Sequence, residues 1–306
     1  IAREFNILSN VNCLKPKRTQ TERGIFDFQQ SDRFMEFCRE HGITPKGHLL
    51  VGRDTYQPEW MLDPSLTPEE LEDILILHIQ TVMGRYKHGS PLGAIAYWDV
   101  LNEVIAYSSV FERIGTNEDG DYLYWEIAFR TAREVDPDCI LIWNEDNTEF
   151  DEPKGEKLYQ TIRRLRARGV PIDAVGFQCH IGLTGQPEPN YDYLEAIFQK
   201  FADLGILIAI TELDVPKRLG QVAHYEKLMQ LCLDQPNCII WTTWNVVDKY
   251  SWRRNFLKGE AMEPLLFDVQ YQKKEAYFAV ERVLRETPVK PRNEEPSRAG
   301  ERVNFE

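Results

Sequence analysis

The sequence has little of what marks membrane proteins, nucleic-acid-binding proteins or small disulfide-rich proteins. Its apolar runs are all shorter than the roughly 18 residues that a membrane-spanning helix needs. Its 36 Lys and Arg are outnumbered by 49 Asp and Glu, and the net charge of −13 argues against nucleic acid and membrane as partners. Six cysteines are too few for a disulfide framework in a chain of 306 residues.

The cysteines and histidines show no CxxC pair and no His-rich spacing, so we expect neither a metal nor a cofactor. Cys232 and Cys238 flank the turn-forming segment LDQPN. A disulfide that closes a short loop fits this spacing and would indicate an oxidising compartment, but two free thiols fit it as well. Residues 1–4 lack the features of a signal peptide and do not begin with Met, so we expect a processed or trimmed chain.

Apolar, β-rich runs alternate along the chain with segments of helical period. The predicted strands are residues 4–9, 43–51, 95–102, 139–144, 174–180, 207–213 and 239–246. One helix is expected to begin at Thr67-Pro68-Glu69-Glu70, which has a capping Thr, a Pro at the first position and acids in the first turn. Regular alternation predicts a parallel sheet, and seven strands without a second domain favour a (β/α)8 TIM barrel.

A complete barrel needs one more strand. We expect the first strand and most of the first helix to lie upstream of residue 1, because residues 1–4 read as the end of a helix that leads into a strand. Residues 1–286 are then one barrel domain with an incomplete first βα unit. Residues 287–306 are rich in Pro, Gly and charge and are predicted to be a tail or linker. Residues 303–305 have the composition of a short strand, but we do not expect them to close the barrel.

Polar groups collect where the predicted strands end, and in a barrel these ends face one shared mouth. A single Glu, His or Trp at such a position is ordinarily a solvated or core residue. Six consecutive strands with polar ends, however, indicate a functional site. The candidates are His48, Asn102, Glu103, the segment WNEDN at 143–147, Gln178, His180, Glu212, Asp214, Trp241, Trp244, Asp248 and Trp252.

Two glutamates at one mouth predict glycoside hydrolysis, in which one carboxylic acid protonates the leaving oxygen and a second carboxylate attacks the anomeric carbon or activates water. Glu103 follows an apolar run, an environment that suits a proton donor. Glu212 would lie across the mouth, and His180 could hydrogen-bond it and keep it ionised. Asn102 could donate a hydrogen bond to a sugar 2-hydroxyl.

Four segments, in this order and spacing, resemble motifs of glycoside hydrolase family 10, whose members are mostly retaining endo-β-1,4-xylanases. They are WDVLNE at 98–103, GFQCH at 176–180, ITELD at 210–214 and WNVVDKYSW at 244–252. The resemblance extends from residue 5 to about residue 284 and is supported by PLLFD at 264–268. It implies a barrel whose first strand precedes the point where this chain starts, and a secreted protein.

The resemblance also implies roles for individual residues. Glu103 would be the acid/base and Glu212 the nucleophile. A disulfide would join Cys232 to Cys238. The sugar in the −1 site would meet His48, Asn102, Gln178, His180, Trp244 and Trp252, and the −2 sugar would meet Asn12 and Lys15. The substrate would be a polysaccharide or oligosaccharide, and we expect a monomer.

The chain departs from the family pattern at five positions around this cleft. Val11 replaces a Glu, Gly52 a Trp, Arg53 a His, Asp146 a Tyr near the +1 sugar, and Asn245 a Gly. A lost stacking ring costs on the order of 1–3 kcal/mol of transition-state binding. Weak activity on plain xylan, or a different or decorated substrate, would follow.

Two of these departures lead to structural expectations. Gly52 should leave a gap that Tyr56 could fill. Arg53 is expected either to bind an acidic sugar substituent or to pair with Asp54 or Glu59.

Three functions fit the sequence to different degrees. The first is a retaining endo-β-glycanase that acts on xylan or a related β-linked polysaccharide. The second is a catalytically weak carbohydrate-binding relative, favoured by the departures but opposed by the intact Glu103 and Glu212. The third is a phosphate-handling barrel enzyme, which lacks the Gly-rich loop expected after the last strands.

Overall fold

A computed structural model describes residues 1–183, 186, 189–255 and 262–288. Seven strands form one parallel sheet in chain order. The strands are β1 (Ile7–Ser9), β2 (Thr44–Gly52), β3 (Tyr97–Asn102), β4 (Ile140–Glu145), β5 (Ala174–Phe177), β6 (Leu207–Leu213) and β7 (Cys238–Thr243). All seven predicted strands are present, and the predicted barrel is confirmed. The first begins three residues later than predicted, at Ile7, and the fifth ends at Phe177 instead of residue 180.

Helices alternate with the strands. They are α1 (Pro16–Thr19), α2 (Gln29–His41), α3 (Pro68–Arg85), α4 (Leu123–Val135), α5 (Glu152–Ala167), α6 (Tyr191–Asp203), α7 (Gln221–Asp234) and α8 (Glu275–Glu286). The predicted start of α3 is confirmed: the Thr67 side chain accepts from the backbone N–H of Glu70, and the Glu70 side chain accepts from that of Thr67. This capping box satisfies two N–H groups that a helix start leaves without partners.

The main core lies between the sheet and the helices. The apolar face of α4 is buried, with Trp125 beside Trp143 of β4 at a ring distance of 5.0 Å. A smaller cluster fills the inside of the barrel and consists of Ile142, Ala174, Ala209 and Ile240. Because side chains alternate along a strand, inward positions nearer the carboxyl ends are left for polar groups.

The barrel is open on one side. In the described residues no pairing joins β7 to β1. A cavity of about 1210 Å³ lies there, lined by both strands and by residues of α7 and α8. This opening is where an eighth strand would complete the barrel, and it lies on the flank of the sheet. The expectation that this strand precedes residue 1 stays a prediction.

Two further expectations concern the ends of the chain and the membrane. The predicted tail falls almost entirely on residues 289–306, including 303–305, which lie outside the described residues. Over the described ranges, none of the helices has the length and apolar character that crossing a membrane requires.

Candidate active site

The parallel sheet brings the predicted site residues to one end of the barrel. The candidates on or just after strands are His48, Asn102, Glu103, Gln178, His180 and Glu212, which belong to β2, β3, β5 and β6 or to the residues that follow them. All six are buried beneath the mouth. Direct contacts link Gln178 to Glu103, and His180 to Glu212.

The Glu103 carboxyl is only 8% exposed and has partners on both oxygens. Gln178 donates to Oε1 at 3.0 Å, and the Tyr56 hydroxyl donates to Oε2 at 2.9 Å. The Arg53 Nε lies 3.0 Å from the same Oε2 as an ion pair. The expectation of purely apolar surroundings for Glu103 is therefore wrong, because the guanidinium of Arg53, which follows β2, reaches the carboxyl.

The backbone at Glu103 is in the left-handed region, with a φ of +56°. This conformation is uncommon and strained for residues other than Gly. The next two N–H groups, those of Val104 and Ile105, donate to Oε1 of Glu145 at 2.7 and 2.9 Å. Burial raises the pKa of Glu145 to about 7, with Lys154 opposing the rise. Glu145 thus holds the turn that aims Glu103 into the mouth.

Glu212 is 3% exposed and receives a hydrogen bond that sequence reasoning missed. Asn144 on β4 donates from Nδ2 to Glu212 Oε1 and to Asn102 Oδ1, both at 2.7 Å, and accepts from the Thr211 hydroxyl at 2.6 Å. Gly176 makes room for it, since a Cβ there would lie 2.3 Å from Asn144 Oδ1. The signal in the sequence was Asn144 itself, the polar residue that follows the apolar run of β4.

His180 lies between two carboxylates. Its Nε2 is 3.3 Å from Glu212 Oε2, and its Nδ1 is 2.9 Å from Asp214 Oδ1. Burial alone would lower the pKa of His180, but the charge and hydrogen bond of Asp214, then those of Glu212, raise it to about 10. Asp214 also receives the indole N–H of Trp252 at 2.7 Å. A cationic His180 therefore faces Glu212.

His48 lies on the other side of Glu212, with Nδ1 4.0 Å from Oε1. The same nitrogen is 2.8 Å from Asp99, which also pairs with the buried Lys46. The Trp244 ring packs edge-on against His48 at 5.1 Å. Sequence reasoning missed Lys46 and Asp99, because their charges are hidden inside predicted strands.

The structure around Gly52 agrees with the expectation that Tyr56 fills the space beside this glycine. A Cβ at Gly52 would lie 2.8 Å from the Tyr56 ring, so Tyr56 occupies the space that a side chain at position 52 would need. Lys15 Nζ lies 4.6 Å from the centre of this ring and donates to Asn12 Oδ1 at 3.2 Å. The two residues assigned to the −2 sugar are thus adjacent.

Arg53 does not have the expected acidic partners. Among the described residues its ion pair is with Glu103 and not with Asp54 or Glu59. Asp54 instead accepts the backbone N–H of Val110 at 2.6 Å.

The structure joins Cys232 to Cys238 in a disulfide across the short loop between α7 and β7. Cys13, Cys38, Cys139 and Cys179 are not part of a disulfide. Burial raises the pKa of Cys13 and of Cys38 to about 11. Burial also raises the pKa of Cys179 well above its usual value. Cys13, Cys38 and Cys179 therefore stay protonated at neutral pH.

Comparison with known proteins identifies the class of this barrel. A sequence profile of glycosyl hydrolase family 10 matches residues 1–283. The chain is 35% identical over 294 residues to endo-1,4-beta-xylanase B of Thermotoga neapolitana, covering 93% of this chain and 82% of that protein. It is 33% identical over 299 residues to endo-1,4-beta-xylanase B of Humicola insolens, covering 94% of this chain and 80% of that protein.

Solved structures give the same result. The crystal structure of native xylanase 10B from Thermotoga maritima has a TM-score of 0.83 and 35% identity, covering 93% of this chain and 88% of that chain. Xylanase 10B from Thermotoga petrophila, in complex with xylobiose, has a TM-score of 0.82 at 35% identity, covering 93% of this chain and 87% of that chain. Fold and relatives together define a barrel enzyme that hydrolyses glycosidic bonds. Within that class, the chain belongs to glycosyl hydrolase family 10, which confirms the family resemblance of its motifs.

Replacing Glu145 tests its hold on the turn after Glu103. Glu145→Ala leaves the N–H groups of Val104 and Ile105 buried without an acceptor, and each such group costs about 1–3 kcal/mol. We expect the free energy of unfolding to fall by roughly 2–4 kcal/mol and hydrolytic activity to fall in the protein that remains folded. The matched control Glu145→Gln keeps an acceptor oxygen and should lose less. Equal stability and activity in the two variants, measured by urea unfolding and reducing-sugar release, would contradict this role.

The charge on His180 predicts a pH dependence of stability. A His whose folded pKa of about 10 exceeds its ordinary value of 6.5 stabilises the fold fully below pH 6.5, and that stabilisation is lost as the pH rises through 10. We expect the free energy of unfolding to drop by on the order of a few kcal/mol between these limits. His180→Gln should show a flatter profile in urea titrations, whereas the exposed His41→Gln should follow the wild type. Parallel profiles of unfolding free energy against pH for wild type and His180→Gln would refute this role of the His180 charge.

Proposed function

We propose that the chain is a retaining endo-β-1,4-xylanase that hydrolyses xylan or a decorated β-linked polysaccharide. The observation that carries this proposal is the difference between two buried carboxyls at one mouth. Glu212 faces the cationic His180 and the amide of Asn144, which favour an ionised nucleophile. Glu103 lies at the end of a different strand, held by Gln178 and Tyr56, and would serve as acid/base.

The reaction follows from these roles in two steps. In the first, a carboxylate oxygen of Glu212 bonds to the anomeric carbon, the glycosidic C–O bond breaks, and Glu103 gives its proton to the leaving oxygen. In the second, the Glu103 carboxylate takes a proton from water, the water oxygen bonds to the anomeric carbon, and Glu212 leaves as a carboxylate. Two displacements at one carbon keep its configuration.

Asn102 supports the proposed −1 sugar site. Its Oδ1 accepts from Asn144, which fixes the direction of the amide. Its Nδ2 is buried and has no protein partner among the described residues. A sugar 2-hydroxyl could accept from this nitrogen, and such a bond strengthens in the transition state. His48, Trp244 and Trp252 would complete the site around the ring of the sugar.

The names of the relatives support the substrate class. The proteins from Thermotoga neapolitana and Humicola insolens are named endo-1,4-beta-xylanases, and the Thermotoga petrophila structure holds xylobiose. Asn12 and Lys15, which contact each other beside Tyr56, would meet the sugar at −2. These names give no support to the alternative of a binding protein without turnover, which rests on the departures from the family pattern alone.

We also propose that the enzyme works outside the cytoplasm, and the Cys232–Cys238 disulfide supports this location. One relative, at 32% identity, is described as an intracellular xylanase from Thermoanaerobacterium saccharolyticum. Cell fractionation, together with thiol alkylation of the isolated protein, tests the location. A reduced pair in protein recovered from the cytoplasm would refute it.

A panel of polysaccharides tests the reaction itself. The wild type should release reducing sugar from xylan, and Glu212→Ala should abolish that release on every substrate. Glu103→Ala should lower kcat/KM on xylan by about 10²- to 10⁴-fold. The loss should be much smaller on an aryl xyloside with a nitrophenolate leaving group, which departs without a proton. A Glu103→Ala variant equally impaired on both substrates would contradict the acid role.

Stereochemistry supplies a separate test of retention. We expect the Glu103 and Glu212 carboxyls to lie about 5–5.5 Å apart, the separation of retaining enzymes. Proton NMR of a fresh digest should therefore show the β-anomer first, followed by slow mutarotation. First appearance of the α-anomer would indicate inversion and refute double displacement.

A further inference from the structure

Three positions where the chain departs from the family pattern meet in one cluster beside Glu103. Gly52 leaves the space that the Tyr56 ring fills, and the Tyr56 hydroxyl reaches Glu103 Oε2 at 2.9 Å. Arg53 reaches the same oxygen at 3.0 Å. Asp146, the third departure, accepts from the hydroxyl of Tyr107 at 3.0 Å. These departures therefore act on one carboxyl oxygen and its surroundings.

The position of Arg53 is fixed from two sides. The centre of its guanidinium lies 5.0 Å from the Tyr56 ring and 4.7 Å from the Tyr107 ring, distances at which a cation is attracted to an aromatic face. Tyr107 is in turn held by Asp146, whose carboxylate also pairs with Lys154. A cation clamped between two rings loses little further freedom when it pairs with a carboxylate, so its charge acts on Glu103 continuously.

We propose that Arg53 is a positioning residue that, with Tyr56, caps the Glu103 carboxyl and moves the working range of the enzyme to lower pH. This inference rests on the proposed acid/base role of Glu103. A cation at contact distance favours the carboxylate over the carboxylic acid. The first step needs the acid form, so activity should fall at a lower pH than it would with a neutral residue at position 53.

The other charged and titratable groups near Glu103 do not replace this effect. Lys15, from the segment before α1, interacts with both Glu103 and Glu212, and burial lowers its pKa despite their charges. Tyr56 and Tyr107 stay neutral, because burial and nearby negative charge raise the pKa of each. Glu212 on β6 acts on Lys15 and Tyr56 together with Glu103, and its negative charge opposes the effect of Arg53. Gln178 is an uncharged donor. Among these groups Arg53 is the cation in contact with the carboxyl.

Charge and shape can be separated by two substitutions at position 53. Arg53→Gln removes the charge and keeps a planar polar end, whereas Arg53→Lys keeps the charge. In the full chain, we expect Arg53→Gln to move the alkaline limb of kcat/KM on xylan upward by about 0.5–1 pH unit, and Arg53→Lys to leave it near the wild type. The exposed Arg39→Gln on α2 should follow the wild type.

Charge and shape predict different outcomes for these two variants. An alkaline limb that is unchanged in Arg53→Gln would overturn the inference, as would equal limb shifts in Arg53→Gln and Arg53→Lys. Failure of the wild type to hydrolyse xylan would instead overturn the proposed function.

Discussion

The arrangement of the site depends on two buried glutamates, one at the end of β4 and one in the loop that follows it. Glu145 ends β4 and holds the N–H groups that follow Glu103, and Glu149 accepts the N–H of Cys179 at 2.7 Å. Glu103 and Cys179 both have left-handed backbone, with φ of +56° and +58°. Because β4 lies between β3 and β5, one loop fixes the turns on both sides of it. Each turn aims a polar side chain, Glu103 on one side and Gln178 on the other, and these two bond to each other.

This arrangement has an electrostatic cost. Burial raises the pKa of Glu145 and of Glu149 to about 7, so their charged forms are disfavoured by the fold. Lys154 offsets part of this at Glu145. A strained turn with no acceptor for its N–H groups would carry a cost of its own and would release the Glu103 side chain.

Three of the departures from the family pattern lie together beside Glu103 in the structure. Taken singly, Gly52 and Asp146 look like lost sugar contacts, and Arg53 looks like a new cation beside the sugar site. In the structure the missing ring at position 52 is replaced by Tyr56, and a cation from position 53 reaches Glu103. The site is therefore altered around the proposed acid/base, whereas Glu212 retains a network of His180, Asp214 and Asn144.

The sequence by itself determined the seven strands, the barrel, the start of α3 and the family, because apolar periodicity and capping chemistry act over a few residues. It also located Glu103 and Glu212 at strand ends, since in a parallel sheet those ends meet. Tertiary structure decided what each side chain touches. Asn144 bridges β3 and β6, and Arg53 lies on Glu103, although in the chain these partners are 42, 68 and 50 residues apart. Such contacts depend on backbone twist, on the room left at Gly176 and on the left-handed turns, and no local pattern records them.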